Sequence, residues 1–329
     1  MKLSLHICYD FKEGPWGGSN QFATAFREFL ISEKCYELDP SEADVILFIS
    51  HANIEKVVSL KRKFPNKLFV HRLDGPIILH NPVSNKRDAI AYWANRNIAD
   101  ATVFQSSWSR RSNYEMGFWK SSNETIILNA CSPTVFNRNK KAVFAIGRKT
   151  KVIITSWSSF ESKGFKAYQW LDQHLDFSKY EVTFVGNSPV IFRHIRILEP
   201  MASVELAQEL WKHDIYITAS EKDACSNSLI EALSCGLPAI ALNDGGHPEL
   251  VKSGGKLFDT PGEIPHLLDQ IRDNYALFQR SIKPNTLNVM GNEYWKFINS
   301  IHQSEDQKTK NLSVLLVAQF LFYKLIGRF

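Results

Sequence analysis

Short apolar runs alternate with amphipathic stretches along most of the 329-residue chain, the pattern of parallel strands joined by crossover helices. Strands are predicted near residues 2–8, 44–49, 68–72, 101–104 and 125–128, with helices over 19–32, 57–64 and 108–115. A Pro- and Lys-containing segment at 130–150 breaks the alternation and marks a domain boundary. The pattern restarts with strands at 151–155, 182–185 and 215–218 and helices at 165–174 and 204–211. A further helix begins at Asn227 and Ser228, buries Ile230 and Leu233, and closes at Gly236 before Pro238. The expected division is an α/β domain over 1–140, a second over 141–283, a late helix at 284–303, and a linker with an apolar tail at 304–329. Two such sheets with the loops at their carboxyl ends face to face would enclose a ligand cleft.

Composition narrows the class. Hydrophobic residues make up 44% and charged residues 22%, which is globular and excludes a disordered chain. The five cysteines, at 8, 35, 131, 225 and 235, form no C-x-x-C pair, so neither a zinc site nor a disulfide framework is indicated and a reduced cytosol is expected. The apolar start, Met1 to Tyr9, is too short for a signal peptide and reads as a buried strand. The net charge of +5 is unevenly placed, with 21 basic and 14 acidic residues in 1–150 against 18 and 20 in 151–329. The first half therefore suits an anionic partner. A run of Arg138, Lys140, Lys141, Arg148, Lys149 and Lys151 without intervening acids reads most simply as a solvated connector. No nucleic-acid partner is expected.

Most of the chemistry lies in Asp223-Ala-Cys-Ser-Asn-Ser-Leu-Ile-Glu231-Ala-Leu-Ser-Cys-Gly236-Leu-Pro238, followed by Gly245-Gly246-His247-Pro248-Glu249. A helix starting at Asn227 exposes the backbone N–H groups of Asn227, Ser228 and Leu229 and the positive end of its dipole, which together favour a phosphate. Glu231, one turn on, is placed to accept hydrogen bonds from ribose hydroxyls. An ordinary capped helix accounts for Gly236 and Pro238, but not for two carboxylates eight residues apart on either side of an Asn-Ser cap.

Asp-x7-Glu with Ala-Leu-Ser-Cys-Gly-Leu-Pro and Gly-Gly-His-Pro-Glu resembles the donor-site signature of retaining glycosyltransferases of family four. That resemblance implies a GT-B fold, two Rossmann-like doubly wound domains, with the donor nucleotide in the second. It covers residues 1 to 300 and is most specific from 151 to 258. The family usually carries Glu where this chain has Asp223.

The first loop, Gly14-Pro15-Trp16-Gly17-Gly18-Ser19, allows the backbone at Gly17 and Gly18 to approach a phosphate closely, although a plain strand-to-helix turn would look the same. The third strand ends in His71-Arg72-Leu73-Asp74-Gly75-Pro76, similar to a segment of a subset of the family. The family's donor-contacting His corresponds either to His71 or to a position taken by Asp74. Strand alternation places Arg72 and Asp74 on one face, and that pair is favoured for the site over an Arg–Asp pair that only holds the loop. Ser162-Lys163-Gly164 is similar to the family's Lys-Gly, which implies that Lys163 neutralises the leaving diphosphate; the Arg usual six residues earlier is replaced by Trp157. Asn129 stands where many relatives have Asn-Gly. Lys163, Asp74, Arg72 and Asp223 are thus the catalytic candidates, and Gly17, Gly18, Asn227, Ser228, Leu229, Glu231 and Gly246 the donor-binding ones. No Asp-x-Asp pair occurs, so no obligatory metal and no cofactor beyond the co-substrate are expected.

The tail, Leu312 to Tyr323 with Lys324 and Arg328 beyond, is shorter than the ~20 apolar residues a span requires and contains Gln319. It reads either as a helix in the membrane surface or as one packed on the body. The expectation is a retaining hexosyltransferase in the cytoplasm, peripheral to the membrane, that joins a sugar from a nucleotide diphosphate to a glycan or lipid-linked acceptor. Two alternatives share the scaffold: a GT-B sugar-nucleotide 2-epimerase and a non-catalytic binding or scaffold subunit.

Overall fold

The computed structural model describes residues 3–14, 16–80, 85–304 and 309–325. In chain order the elements are β1 (Leu5–Cys8), α1 (Gly18–Ser32), β2 (Val45–Ile49), α2 (Ile54–Lys63), β3 (Leu68–Leu73), α3 (Asn85–Asn97), β4 (Ala101–Phe104), α4 (Ser107–Glu115) and β5 (Glu124–Ile126). They continue as β6 (Thr150–Ser156), α5 (Phe165–His174), β7 (Tyr180–Gly186), β8 (Arg196–Leu198), α6 (Ser203–Trp211), β9 (Ile215–Thr218), α7 (Asn227–Ser234) and β10 (Ala239–Leu242). The last are α8 (His247–Val251), β11 (Gly255–Phe258), α9 (Ile264–Asp273), α10 (Tyr275–Ser281), α11 (Leu287–His302) and α12 (Val314–Leu325).

Two compact units divide the chain: Met1–Phe11, Ala23–Leu128 and Asn288–Phe329 in the first, Lys12–Phe22 and Asn129–Leu287 in the second. The first holds a parallel sheet ordered β1-β2-β3-β4-β5. Its strands are runs such as Leu-Phe-Val-His-Arg-Leu, buried at every position, as parallel strands covered on both faces must be. Ile46, Phe48, Phe69, Val57 and Ile98 pack one face of this core, joined by Val317 and Phe320 of α12. From α11, the Tyr294 ring lies 4.6 Å from that of Phe26.

The second unit holds a parallel sheet ordered β11-β10-β9-β6-β7-β8. From β6 the chain winds outward to β8 and then returns to place β9 on the other side of β6. The winding reverses between these two strands, and in open parallel sheets the carboxyl ends at such a reversal are where ligands bind.

The two-sheet α/β expectation holds, with most predicted elements within a few residues of those found. Helix α3 was not anticipated, because its buried positions are the small or polar Ala91, Ala94 and Asn95, which leave no apolar stripe to read. Between α7 and residue 284 the sequence reading placed no element, whereas the structure has β10, α8, β11, α9 and α10. No helix among the described residues is long and apolar enough to cross a membrane.

Candidate functional site

Three loops of the second unit converge on Asp223. The loop after β6 ends in a 3-10 turn, Glu161–Lys163, capped by Gly164 at φ +85°. A Cβ at Gly164 would stand 2.4 Å from the Ala219 carbonyl oxygen at the end of β9, so only glycine allows the two loops to touch. The Glu221 N–H donates to Ser162 O at 2.8 Å, completing the tie. Lys163 Nζ is thereby presented to Asp223 and donates to Oδ2 at 3.3 Å, with both side chains partly exposed. From the loop after β10, the Gly246 N–H donates to Asp223 O at 2.8 Å. Gly245, at φ +63°, passes so close that a Cβ would lie 2.3 Å from that same oxygen. Asp244 accepts from the backbone N–H groups of Lys222 and Gly245, each at 2.7 Å, and so joins the second and third loops.

Helix α7 leaves the loop after β9. Ser226 makes no side-chain cap, and the first helical bond runs from Ile230 N–H to Ser226 O. The N–H groups of Asn227, Ser228 and Leu229 therefore lie ahead of the helical ladder, as at any uncapped start. Asn227 works as a clamp: its Nδ2 donates to Gly18 O at 2.8 Å, and its Oδ1 accepts from Asn129 Nδ2 at 2.9 Å. A Cβ on Gly18 would sit 3.2 Å from Asn227 Nδ2, a tight approach that would press on the clamp. The carbonyl of Gly17 accepts from the N–H groups of Asn20 and Gln21, opening α1. Ser228 is half-buried, with its hydroxyl 3.1 Å from that of Ser226, and the Leu229 side chain is fully buried.

Glu231 is only 6% exposed. No group among the described residues donates a hydrogen bond to its carboxylate, and burial alone pushes the group up to about 8. His247, also fully buried, has Nδ1 3.0 Å from Leu242 O, while Nε2 has no partner among the described residues. Burial lowers its basicity, and Asp223 is the strongest influence in the opposite direction.

In the first unit, Arg72 Nη1 donates to Asp74 Oδ1 at 2.8 Å, and Gln105 Nε2 donates to the same oxygen. The Asp74 N–H donates to Ser50 Oγ, and its carbonyl accepts from Asn113 Nδ2, each at 2.9 Å. Both nitrogens of His71 are committed to the core. Nε2 lies 3.0 Å from Ser50 O and Nδ1 3.0 Å from Asn95 Nδ2, and the ring stacks on Phe48. Burial drives His71 down to about 3, so the ring is neutral, donating through Nε2 and accepting at Nδ1. Lys163, Asp223, Gly246, Gly17, Gly18, Asn227, Ser228, Leu229 and Glu231 thus share the second unit, whereas Arg72 and Asp74 form a separate cluster in the first.

Sequence reasoning missed the buried Tyr216, whose hydroxyl is 3.0 Å from Thr155 Oγ1 and bonds Ser228 as well. Asn129 is marked in the sequence only by its likeness to the family's Asn-Gly position, and no local signal shows that it braces Asn227. The basic run is no solvated connector throughout. Arg148 pairs both nitrogens of its fork with buried Asp214, at 2.7 and 2.9 Å, and Arg138 donates to Gln279 O and Ile282 O. Among the described residues no cluster of three His, Cys, Asp or Glu side chains could hold a metal ion.

Residues 166–276 match the family model described as Glycosyl transferases group 1, a stretch that includes Asp223, Glu231 and Gly246 and begins just after Lys163. No curated protein matches the sequence. Among solved structures, HepE of Anabaena in complex with UDP-glucose is 14% identical, with a TM-score of 0.67 over 91% of this chain and 100% of its own. Sucrose-phosphate synthase from Thermosynechococcus elongatus is 13% identical, with a TM-score of 0.58 over 95% and 81%. The catalytic domain of starch synthase IV from Arabidopsis thaliana, bound to ADP and acarbose, is 12% identical, with a TM-score of 0.60 over 87% and 78%. With two parallel-sheet Rossmann-like units and these neighbours, the chain has the GT-B fold, and its residues 166–276 match the model of group 1 glycosyltransferases.

Proposed function

We propose that this protein is a retaining glycosyltransferase that moves a sugar from a nucleotide diphosphate to the hydroxyl of a glycan or lipid-linked acceptor. The observation that carries the reading is Glu231: a carboxylate 6% exposed, with no donor to it among the described residues, one turn inside a helix whose first N–H groups are uncapped. A buried carboxyl without partners is costly, and burial keeps it protonated unless a ligand supplies donors to its ionised form. Ribose hydroxyls would donate to Glu231, the N–H groups of Asn227, Ser228 and Leu229 would hold the diphosphate with the backbone at Gly17 and Gly18, and Lys163 would stabilise the charge growing on the leaving phosphate. Asp223 and Gly246 would line the transferred sugar, and Arg72 and Asp74, within residues 1–140, are the catalytic candidates of the acceptor-side domain. In the retaining reaction the bond from the anomeric carbon to the diphosphate breaks and the bond to the acceptor oxygen forms on the same face. The acceptor proton passes to the departing phosphate oxygen, and no side-chain nucleophile is assigned.

The resemblance of the HepE complex, which holds UDP-glucose, supports a nucleotide-sugar donor. A 2-epimerase would need carboxylates free for acid–base work, and Asp74 and Asp223 are both paired with cations. The non-catalytic alternative draws on Trp157 and Asp223, which depart from the family's residues. A thermal-shift screen of nucleotide sugars, followed by nucleotide release with and without acceptors, tests the proposal. Stabilisation by a donor and acceptor-dependent release are expected. Donor binding without turnover across a broad acceptor panel would leave the scaffold reading, and epimerised donor without acceptor would establish the other.

The cellular setting belongs to the same proposal: glycan or glycolipid synthesis at the cytoplasmic face of a membrane, with α12 against the lipid surface. Leu315, Leu321 and Phe322 of α12 are exposed, and Arg62 and Lys63 of α2 line a cavity of about 480 Å³ together with Val317, Phe320 and Leu321. Exposed apolar side chains beside basic ones suit an anionic lipid surface. Lys324 and Arg328, the other predicted headgroup contacts, have side chains outside the described residues.

A further inference from the structure

Two tryptophans stand beside the donor loops and take no part in the roles assigned above. Trp16 immediately precedes Gly17 and Gly18, and Trp157 follows β6 in the loop that ends at Lys163. Their ring centroids are 6.2 Å apart at 47°, and each residue is 42% exposed. The ring of Trp16 and the backbone of Trp157 are held in place. Trp16 Nε1–H donates to Glu13 O at 2.7 Å with Lys12 Nζ 4.2 Å over the ring, and the Trp157 carbonyl accepts from Asn187 Nδ2 at 2.6 Å. Phe160, in the same loop as Trp157, is also exposed.

Single exposed apolar residues need no explanation, but two adjacent tryptophans, one with its ring hydrogen-bonded, keep a large apolar area in water beside the candidate site. A neutral indole face offers no countercharge to a diphosphate. It does match the C–H face of a pyranose, which is apolar and flat, while the sugar hydroxyls stay free for polar partners. The backbone connects the pair to the donor elements on both sides: Gly18, two residues after Trp16, is bonded to Asn227 at the start of α7, and Trp157 shares its loop with Lys163.

We propose that Trp16 and Trp157 form a stacking platform for a saccharide ring of the acceptor, next to the donor site of the second unit. The proposal rests on the glycosyltransferase reading and names the acceptor as a glycan that meets the protein through a sugar-ring face. The test uses the full chain, labelled and applied with UDP to a glycan array, in wild-type form and as Trp16→Ala, Trp157→Ala and Trp157→Phe. Stacking of this kind predicts that binding to one glycan class falls about tenfold in each alanine variant and is restored by Trp157→Phe, while the thermal shift produced by UDP-glucose is unchanged. Undiminished glycan binding in the alanine variants, no glycan bound by the wild type, or loss of the UDP-glucose shift together with glycan binding would each overturn it. Absence of any nucleotide-sugar shift in the wild type would instead sink the donor reading, with the glycan arm still deciding the platform.

Discussion

At the scale of single residues, Glu231 and Lys163 separate binding from chemistry. Burial lifts Glu231 from its ordinary 4.5 to about 8, so between those values the folded protein holds a proton that the unfolded chain has lost. Its contribution to stability is complete below about pH 4.5, declines as pH rises, and is gone above about pH 8. Glu231→Gln is expected to flatten that decline, with the wild-type melting temperature falling relative to the variant from pH 5 to 8; parallel profiles would show that the carboxyl is not protonated in the fold. Ribose hydroxyls donating to the carboxylate favour its ionised form, so donor binding near pH 7 should release a proton, readable by calorimetry in buffers of different ionisation enthalpy. The same variant should weaken donor binding by about 10- to 100-fold, the range for a hydrogen bond to a charged group. Lys163→Ala is expected to lower kcat by about 10²- to 10³-fold and to change donor affinity far less, because its charge acts mainly on the leaving phosphate. Its ion pair with Asp223 is partly exposed, so the variant should fold normally. Equal losses in affinity and rate would assign Lys163 to binding alone.

At the scale of elements, the site depends on how closely strand ends approach one another. Gly164→Ala would force a side chain into a left-handed backbone conformation and onto the Ala219 carbonyl. A cost of about 1–3 kcal/mol is expected from urea denaturation, with activity reduced beyond that because the Lys163 loop would lift from β9. Wild-type stability and activity together would mean that the tie between these loops is dispensable. Elements whose own residues carry the signal were legible beforehand: β4 and β9 are buried apolar runs, and α7 has an apolar face with Gly236 and Pro238 after it. Helix α3 was not legible, because Asn95 earns its place by bonding His71 and Thr102 across space.

At the scale of the whole molecule, the C-terminal segment is tied to the first unit through a buried charge cluster. Asp100 accepts from Lys61 Nζ at 3.2 Å and from the Phe69 N–H through one oxygen, and from the Lys310 N–H at 2.8 Å through the other. Asp100→Ala would leave fully buried Lys61 without its counter-charge, at a cost of about 3–5 kcal/mol. It should also raise amide exchange across 309–325; unchanged exchange there would show that Val317 and Phe320 hold α12 by themselves. If α12 lies on a membrane, Leu315→Glu with Phe322→Glu should abolish co-sedimentation with vesicles containing phosphatidylserine, and persistence of binding would remove the tail from that role. The sequence by itself determined the alternation of strands and helices, the two parallel sheets and the position of the helix start before Glu231, because periodicity and local backbone preference act over a few neighbouring residues; the expected Asn-Ser cap is not formed, because the Asn227 side chain turns to Gly18 and Asn129 instead. Only tertiary structure decided that His71 serves the core, that Arg148 pairs with Asp214, that Asn129 braces Asn227, and that Trp16 meets Trp157. Each of those contacts joins residues distant in the chain, and their geometry exists only once parallel strands have set the loops side by side.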